Sequence, residues 1–72
     1  MVNHSRLAEN IKLVRKQKCL TQEQLANKSG VATITIRQYE GEKRKPRMEQ
    51  LEKIAQACGV KTISFFAGVF DD

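Results

Sequence analysis

The 72-residue sequence predicts an all-α fold, a compact bundle of five helices. Apolar residues recur at three- and four-residue spacings along most of the chain, the period of a helix with one buried face. The glycines and the single proline fall between these periodic segments and not inside them. Strand signals are nearly absent: the one β-branched run, Val31 to Ile36, passes without a turn pair into Arg37, Gln38, Tyr39 and Glu40, which suit a helix.

Leu7, Ile11 and Val14 form one apolar face, so a first helix is expected from about Ser5 to Lys18, with Ser5 or Asn3 as its cap. Thr21 followed by Gln24 is a capping-box spacing, in which two side chains satisfy two backbone donors at a helix start. Leu25 and Ala26 give this short second helix its buried side, and Gly30 can take the positive φ of a sharp helix exit. A third helix should span about Thr33 to Gly41, with Ile36, Tyr39 and Glu40 inward and Thr33, Ile34, Arg37 and Gln38 outward. Gly41 to Arg47 is charged, holds the proline and reads as a loop. Helix four is expected at about Arg47 to Ala57 with a stripe of Met48, Leu51, Ile54, Ala55 and Cys58, and Gly59 stops it. Thr62 is positioned to cap a last short helix ending near Ala67, where Phe65 and Phe66 carry most of the aromatic bulk.

Hydrophobic residues make up 40% and charged residues 29%, the balance of a soluble globule with a small core. No internal repeat or linker divides the chain, so residues 1–72 read as one domain. No apolar stretch approaches the roughly 20 residues of a membrane span, and the N-terminus lacks the apolar segment of a signal peptide, so a cytoplasmic protein is expected. Cys19 and Cys58 lack partners at metal-site spacing; both read as reduced thiols, Cys58 in the core and Cys19 near a helix end. Neither a metal nor any other cofactor is expected. His4 is the only histidine, lies near the terminus and has no nucleophile or base around it, which argues against an enzyme. Thirteen Lys plus Arg against eight Asp plus Glu give a net charge of +5, which favours a polyanionic partner without choosing one.

The segment TQEQLANKSGVATITIRQYE, about residues 21–41, joins a short capped helix to a second helix through a tight glycine turn, the layout of a helix-turn-helix. Ala26 is small enough for close crossing, Gly30 makes the turn, and Val31 and Ile36 plug the joint. From Leu7 to Gly68 the chain resembles the helix-turn-helix family of lambdoid phage repressors and Cro proteins. The residues that carry the resemblance are LVRKQKCLTQEQLA, the SGV turn, TITIRQYE, and the trailing KRKP, LEKIAQACGV and FF.

The resemblance implies five helices with the third as recognition helix, and a regulator, expected to be a repressor, that binds duplex DNA. It makes Thr33, Ile34, Arg37 and Gln38 the base-contacting residues: glutamine can pair with adenine, arginine with guanine, and isoleucine can touch a thymine methyl. Thr21 and Gln22 at the start of helix two, with the basic run Lys43, Arg44, Lys45 and Arg47, would contact backbone phosphates. Arg15 and Glu40 match a pair linking helix one to helix three. Readers of this class pair over palindromic operators, and Phe66, Val69 and Phe70 would share one apolar edge if the last helix continued, so they are the expected homodimer surface. No small-molecule ligand or membrane partner is implied.

Three positions depart from the family pattern. Ala32 stands at the recognition-helix cap, usually Ser or Thr; Gly41 comes one place before the usual glycine; and Ile34 stands where a polar base reader is frequent. The operator therefore does not transfer. The same scaffold also serves antitoxins and protein-interaction adaptors, and the length suits either a complete Cro-like regulator or the reader of a longer repressor.

Overall fold

The computed structural model describes residues 2–70. Its α-helices are α1 (His4–Gln17), α2 (Gln22–Ser29), α3 (Thr33–Glu40) and α4 (Met48–Cys58), followed by a 3₁₀ helix at Thr62–Phe66. The fold is thus all-helical, with four α-helices where five were expected. The fifth is a 3₁₀ helix of five residues, wound more tightly than an α-helix. Thr62 lies inside that turn and does not cap it; Lys61 holds the cap position without a side-chain bond.

Asn3, and not Ser5, caps α1: its side-chain oxygen accepts from the Arg6 amide at 3.0 Å. Thr21 and Gln24 form the reciprocal capping box at α2, with bonds of 3.0 and 2.8 Å. Gly30 ends α2 at φ +76°, a left-handed conformation that costs glycine little. The ends of α1 and α3 use the same left-handed exit with less suitable residues, Cys19 at φ 58° and Glu42 at φ 60°. In each, paired reverse bonds close the last turn: Cys19 and Leu20 donate to Lys16 and Arg15, Glu42 and Lys43 to Tyr39 and Gln38. The glycine that the family pattern sets one place after Gly41 would occupy this left-handed site. Ser5 Oγ donates to Glu42 Oε1 at 2.6 Å, tying the exposed turn to α1.

Ile11, Leu25, Ile36, Ile54, Phe65 and Val69 are completely buried, drawing one core from every helical element and the tail. α3 packs on α2 and α1, α4 packs on α2, and the 3₁₀ turn closes against α1 and α4. Met48 departs from the expected stripe: as the first residue of α4 it projects beyond the packed turns and is 56% exposed. Val69 departs from the expected dimer edge for a related reason. The helix stops at Phe66, Gly68 turns the chain at φ +74° beneath the Arg6 side chain, and Val69 points into the core. Asn10, buried on α1, fixes this tail by donating to the carbonyls of Phe65 and Ala67, both at 2.8 Å. Phe70 remains exposed and stacks on Phe66 with ring centroids 5.5 Å apart.

Arg15 and Glu40 meet inside the joint of α1 and α3. Arg15 Nε donates to Glu40 Oε2 at 2.7 Å and Nη2 to Oε1 at 2.9 Å, while Nη1 donates to the Leu20 carbonyl at 2.8 Å. Gln22 Nε2 adds a bond to Glu40 Oε1 at 3.1 Å, so α2 joins the same node. The hydrogen bond to Glu40 holds the Arg15 pKa above its ordinary value, against the opposing effect of desolvation.

Removing one partner leaves a charge in a nearly dry site. Arg15→Ala and Glu40→Ala are each expected to cost about 3 kcal/mol of unfolding free energy. A double-mutant cycle in urea should give a coupling above about 1 kcal/mol, whereas additive losses would mean that the two side chains act independently. At Cys19 the change is opposite in sign. Cys19→Gly relieves a left-handed backbone at an exposed site and is expected to raise unfolding free energy by about 1 kcal/mol in the same titration.

Candidate nucleic-acid interface

The inward face of α3 is consumed by packing: Ile36, Tyr39 and Glu40 are buried. Its remaining residues form the outer surface. Ile34 is 55% exposed and Arg37 is exposed, while Thr33 and Gln38 are half-buried at the edges of the same face. These four side chains differ in kind: a hydroxyl, a branched apolar group, a guanidinium fork and an amide with both donor and acceptor. Together they can address hydrogen-bonding edges and a methyl group on a flat or grooved partner.

Ala32 precedes α3 without a side-chain cap bond, so the first amides of this helix keep their donors and the positive end of its dipole is uncovered. Beyond the other end of α3, Lys43, Arg44, Lys45 and Arg47 are all exposed. The folded-back turn at Glu42 sets where this basic loop starts, and Arg47 occupies the cap position of α4.

Thr21 is exposed, and its oxygen already accepts the Gln24 amide, leaving its hydroxyl proton available. Gln22 is half-buried and its amide nitrogen is engaged by Glu40, so it braces the end of α3 more directly than the first side chains of that helix. Its carbonyl oxygen and second N–H remain unengaged by any described side chain.

The structure also gathers residues that sequence spacing left apart. A cleft of about 390 Å³ lies between the start of α3, the basic loop and α4, and Thr35, Tyr39 and Lys53 line it beside Arg44, Lys45 and Arg47. Lys53 reads in the sequence as one more charge on a solvated helix face. Only the fold of the loop over α4 brings it next to the cations that precede it.

Burial pushes the Cys58 thiol pKa up, with Lys18, Lys28 and Arg15 opposing part of that shift, so the group is a neutral thiol of the core. Cys19 is exposed and free. Among the described residues no cluster of His, Cys, Asp or Glu could hold a metal ion, and no helix is long and apolar enough to cross a membrane.

Comparison with known proteins places this geometry in a family. A helix-turn-helix family model, HTH_3, matches residues 11–65. The uncharacterised HTH-type transcriptional regulator YobD of Bacillus subtilis (strain 168) is 34% identical over 64 residues, which are 89% of this chain and 56% of that protein. The chain thus spans little more than half the length of this curated relative. An HTH_3 family transcriptional regulator from Vibrio cholerae superposes with a TM-score of 0.85 at 30% identity, over 89% of this chain and 36% of that one. The restriction-modification controller protein C.Esp1396I gives a TM-score of 0.82 at 32% identity, covering 92% of this chain and 86% of its own. With the family model matching most of its length and the packing of α2 against α3 to support it, the chain belongs to the HTH_3 helix-turn-helix family.

Proposed function

We propose that this chain binds duplex DNA sequence-specifically, with α3 in the major groove, and represses transcription by occupying its operator. The observation that carries this reading is the outward face of α3, where the side chains of Thr33, Ile34, Arg37 and Gln38 make no hydrogen bond to a described residue and stand beside four exposed cations. An exposed branched apolar residue between hydrogen-bonding side chains suits a surface that meets base edges and thymine methyls. Lys43, Arg44, Lys45 and Arg47, with Thr21 and Gln22 at the opposite side of the motif, suit the flanking phosphates and give binding its salt dependence.

A single helix of eight residues reaches too few base pairs to select one site in a genome, so we propose a two-fold dimer on a palindromic operator. Phe70 is 64% exposed and stacked on the half-buried Phe66, and this aromatic pair is the surface we assign to self-association. Val69, fully buried, is left out of that surface.

Selection of duplexes from a random pool, followed by anisotropy titrations, tests the reading and returns the site. Arg37→Ala and Gln38→Ala should alter preference at individual base pairs by about 1 to 3 kcal/mol. Lys43→Ala and Arg44→Ala should weaken all duplexes alike and lower the salt slope by about one each. Uniform losses for all four variants would remove α3 from the groove. For assembly, Phe70→Glu is expected to leave the melting temperature nearly unchanged and half-site affinity intact, while footprint titrations on the palindrome lose cooperativity. Retained cooperativity would assign the dimer contact to another surface.

A further inference from the structure

Tyr39 is only 3% exposed and belongs to the core cluster, yet no described group hydrogen-bonds to its hydroxyl. Sealed polar side-chain atoms without partners are absent among the described residues, so this oxygen keeps some access to solvent. Tyr39 lines two cavities. One, of about 250 Å³, is lined by Arg44 and Lys45 but also by Glu42, whose carboxylate offsets part of their charge. The other is the cleft of about 390 Å³ between α3 and α4, which Arg44, Lys45, Arg47 and Lys53 line and no carboxylate does.

Four like charges around one cleft repel one another unless an anion joins them. The wall formed by Ala32 and Thr35 belongs to the first turn of α3, where the helix has no side-chain cap and its leading amides have no intrahelical acceptor. A phenolic hydroxyl is a donor that needs no charge, and the oxygens of a backbone phosphodiester are acceptors only. Cations, free helix amides and an unpaired hydroxyl therefore converge on one kind of ligand.

We infer that this cleft is a phosphate seat in which the Tyr39 hydroxyl donates to a backbone phosphodiester of the duplex, with Lys53 of α4 as a further cation beyond the loop. The inference rests on the proposed DNA binding. It makes Tyr39 bifunctional: its ring completes the core under α3, and its oxygen registers the helix against the DNA strand. Because the contact is to backbone, it acts on every sequence; because the donor is neutral, it releases no counterion.

The test compares wild type, Tyr39→Phe and Lys53→Gln by anisotropy with a fluorescent mixed-sequence duplex at several salt concentrations. Tyr39→Phe removes an oxygen without a protein partner, so its melting temperature should match or exceed that of wild type. Its affinity should fall about tenfold with an unchanged salt slope, the size of a lost hydrogen bond to a charged acceptor. Lys53→Gln should lower both the affinity and the slope, the latter by about one. If Tyr39→Phe binds the duplex as wild type does, the inference is overturned while the DNA reading stands. Should wild type fail to bind duplex, the DNA reading fails, and a titration of inorganic phosphate followed by amide NMR decides the seat. Shifts at Thr33 to Thr35 that vanish in Tyr39→Phe would keep it as a site for free phosphate, and no shifts would overturn it.

Discussion

The structure turns on the bidentate pair of Arg15 and Glu40. A buried ion pair is poor evidence for net stability, since removing two charges from water offsets much of their attraction. Its consequence here is geometric. A planar guanidinium gripping a carboxylate at 2.7 and 2.9 Å permits little rotation of either side chain, and its third nitrogen holds the Leu20 carbonyl at the exit of α1. With Gln22 on the same carboxylate, α1, the α1–α2 turn, α2 and the last turn of α3 share one node. The apolar packing of Ile36 and Tyr39 sets the inward side of α3, and hydrogen bonds add direction to it. The directional bonds at Glu40 fix which residues of α3 face outward.

The turns continue this constraint. Cys19 and Glu42 hold left-handed conformations that most side chains avoid, and both lie immediately after helices ending in reverse hydrogen bonds. At Glu42 the strain is matched by a bond from Ser5, so α1 positions not only the axis of α3 but also the start of the basic loop. The loop carries its cations on a short and anchored tether, which keeps them beside the outward face of α3.

Sequence periodicity carried the helices far because each is amphipathic and bounded by residues with specific backbone roles, such as the capping box at Thr21 and Gly30 at the α2 exit. It failed where a local pattern was extended past the real end of an element. Met48 has the spacing of the α4 stripe but lies one turn ahead of its packing partners, and Val69 has helical spacing from Phe66 across a turn that is not helical. Asn10 was illegible for another reason. A polar residue on a helix reads as solvated unless the chain that returns to it is known, and its partners are carbonyls 55 and 57 positions away. The grouping of Lys53 with the loop cations is likewise a product of tertiary folding, with no trace in linear spacing.

The division of α3 into a committed face and a free one has a consequence for how such a chain can change. Substitutions at Ile34 or Arg37 touch exposed positions, where stability effects are usually within about 0.5 kcal/mol. Substitutions at Ile36 or Glu40 act on the core or on the Arg15 node and carry the larger costs of cavities and unpaired charge. Residues that would set the preferred DNA sequence are thus nearly uncoupled from those that maintain the scaffold. Gln38 is the intermediate case: it is half-buried, and its carbonyl accepts the Lys43 amide at 2.8 Å, so the backbone of a proposed base reader also closes the turn that launches the basic loop. The carbonyl of Arg37 accepts the Gly41 amide at 2.9 Å in the same turn, so under the proposed binding the directions of both side chains and the placement of the basic loop would depend on adjoining peptide units.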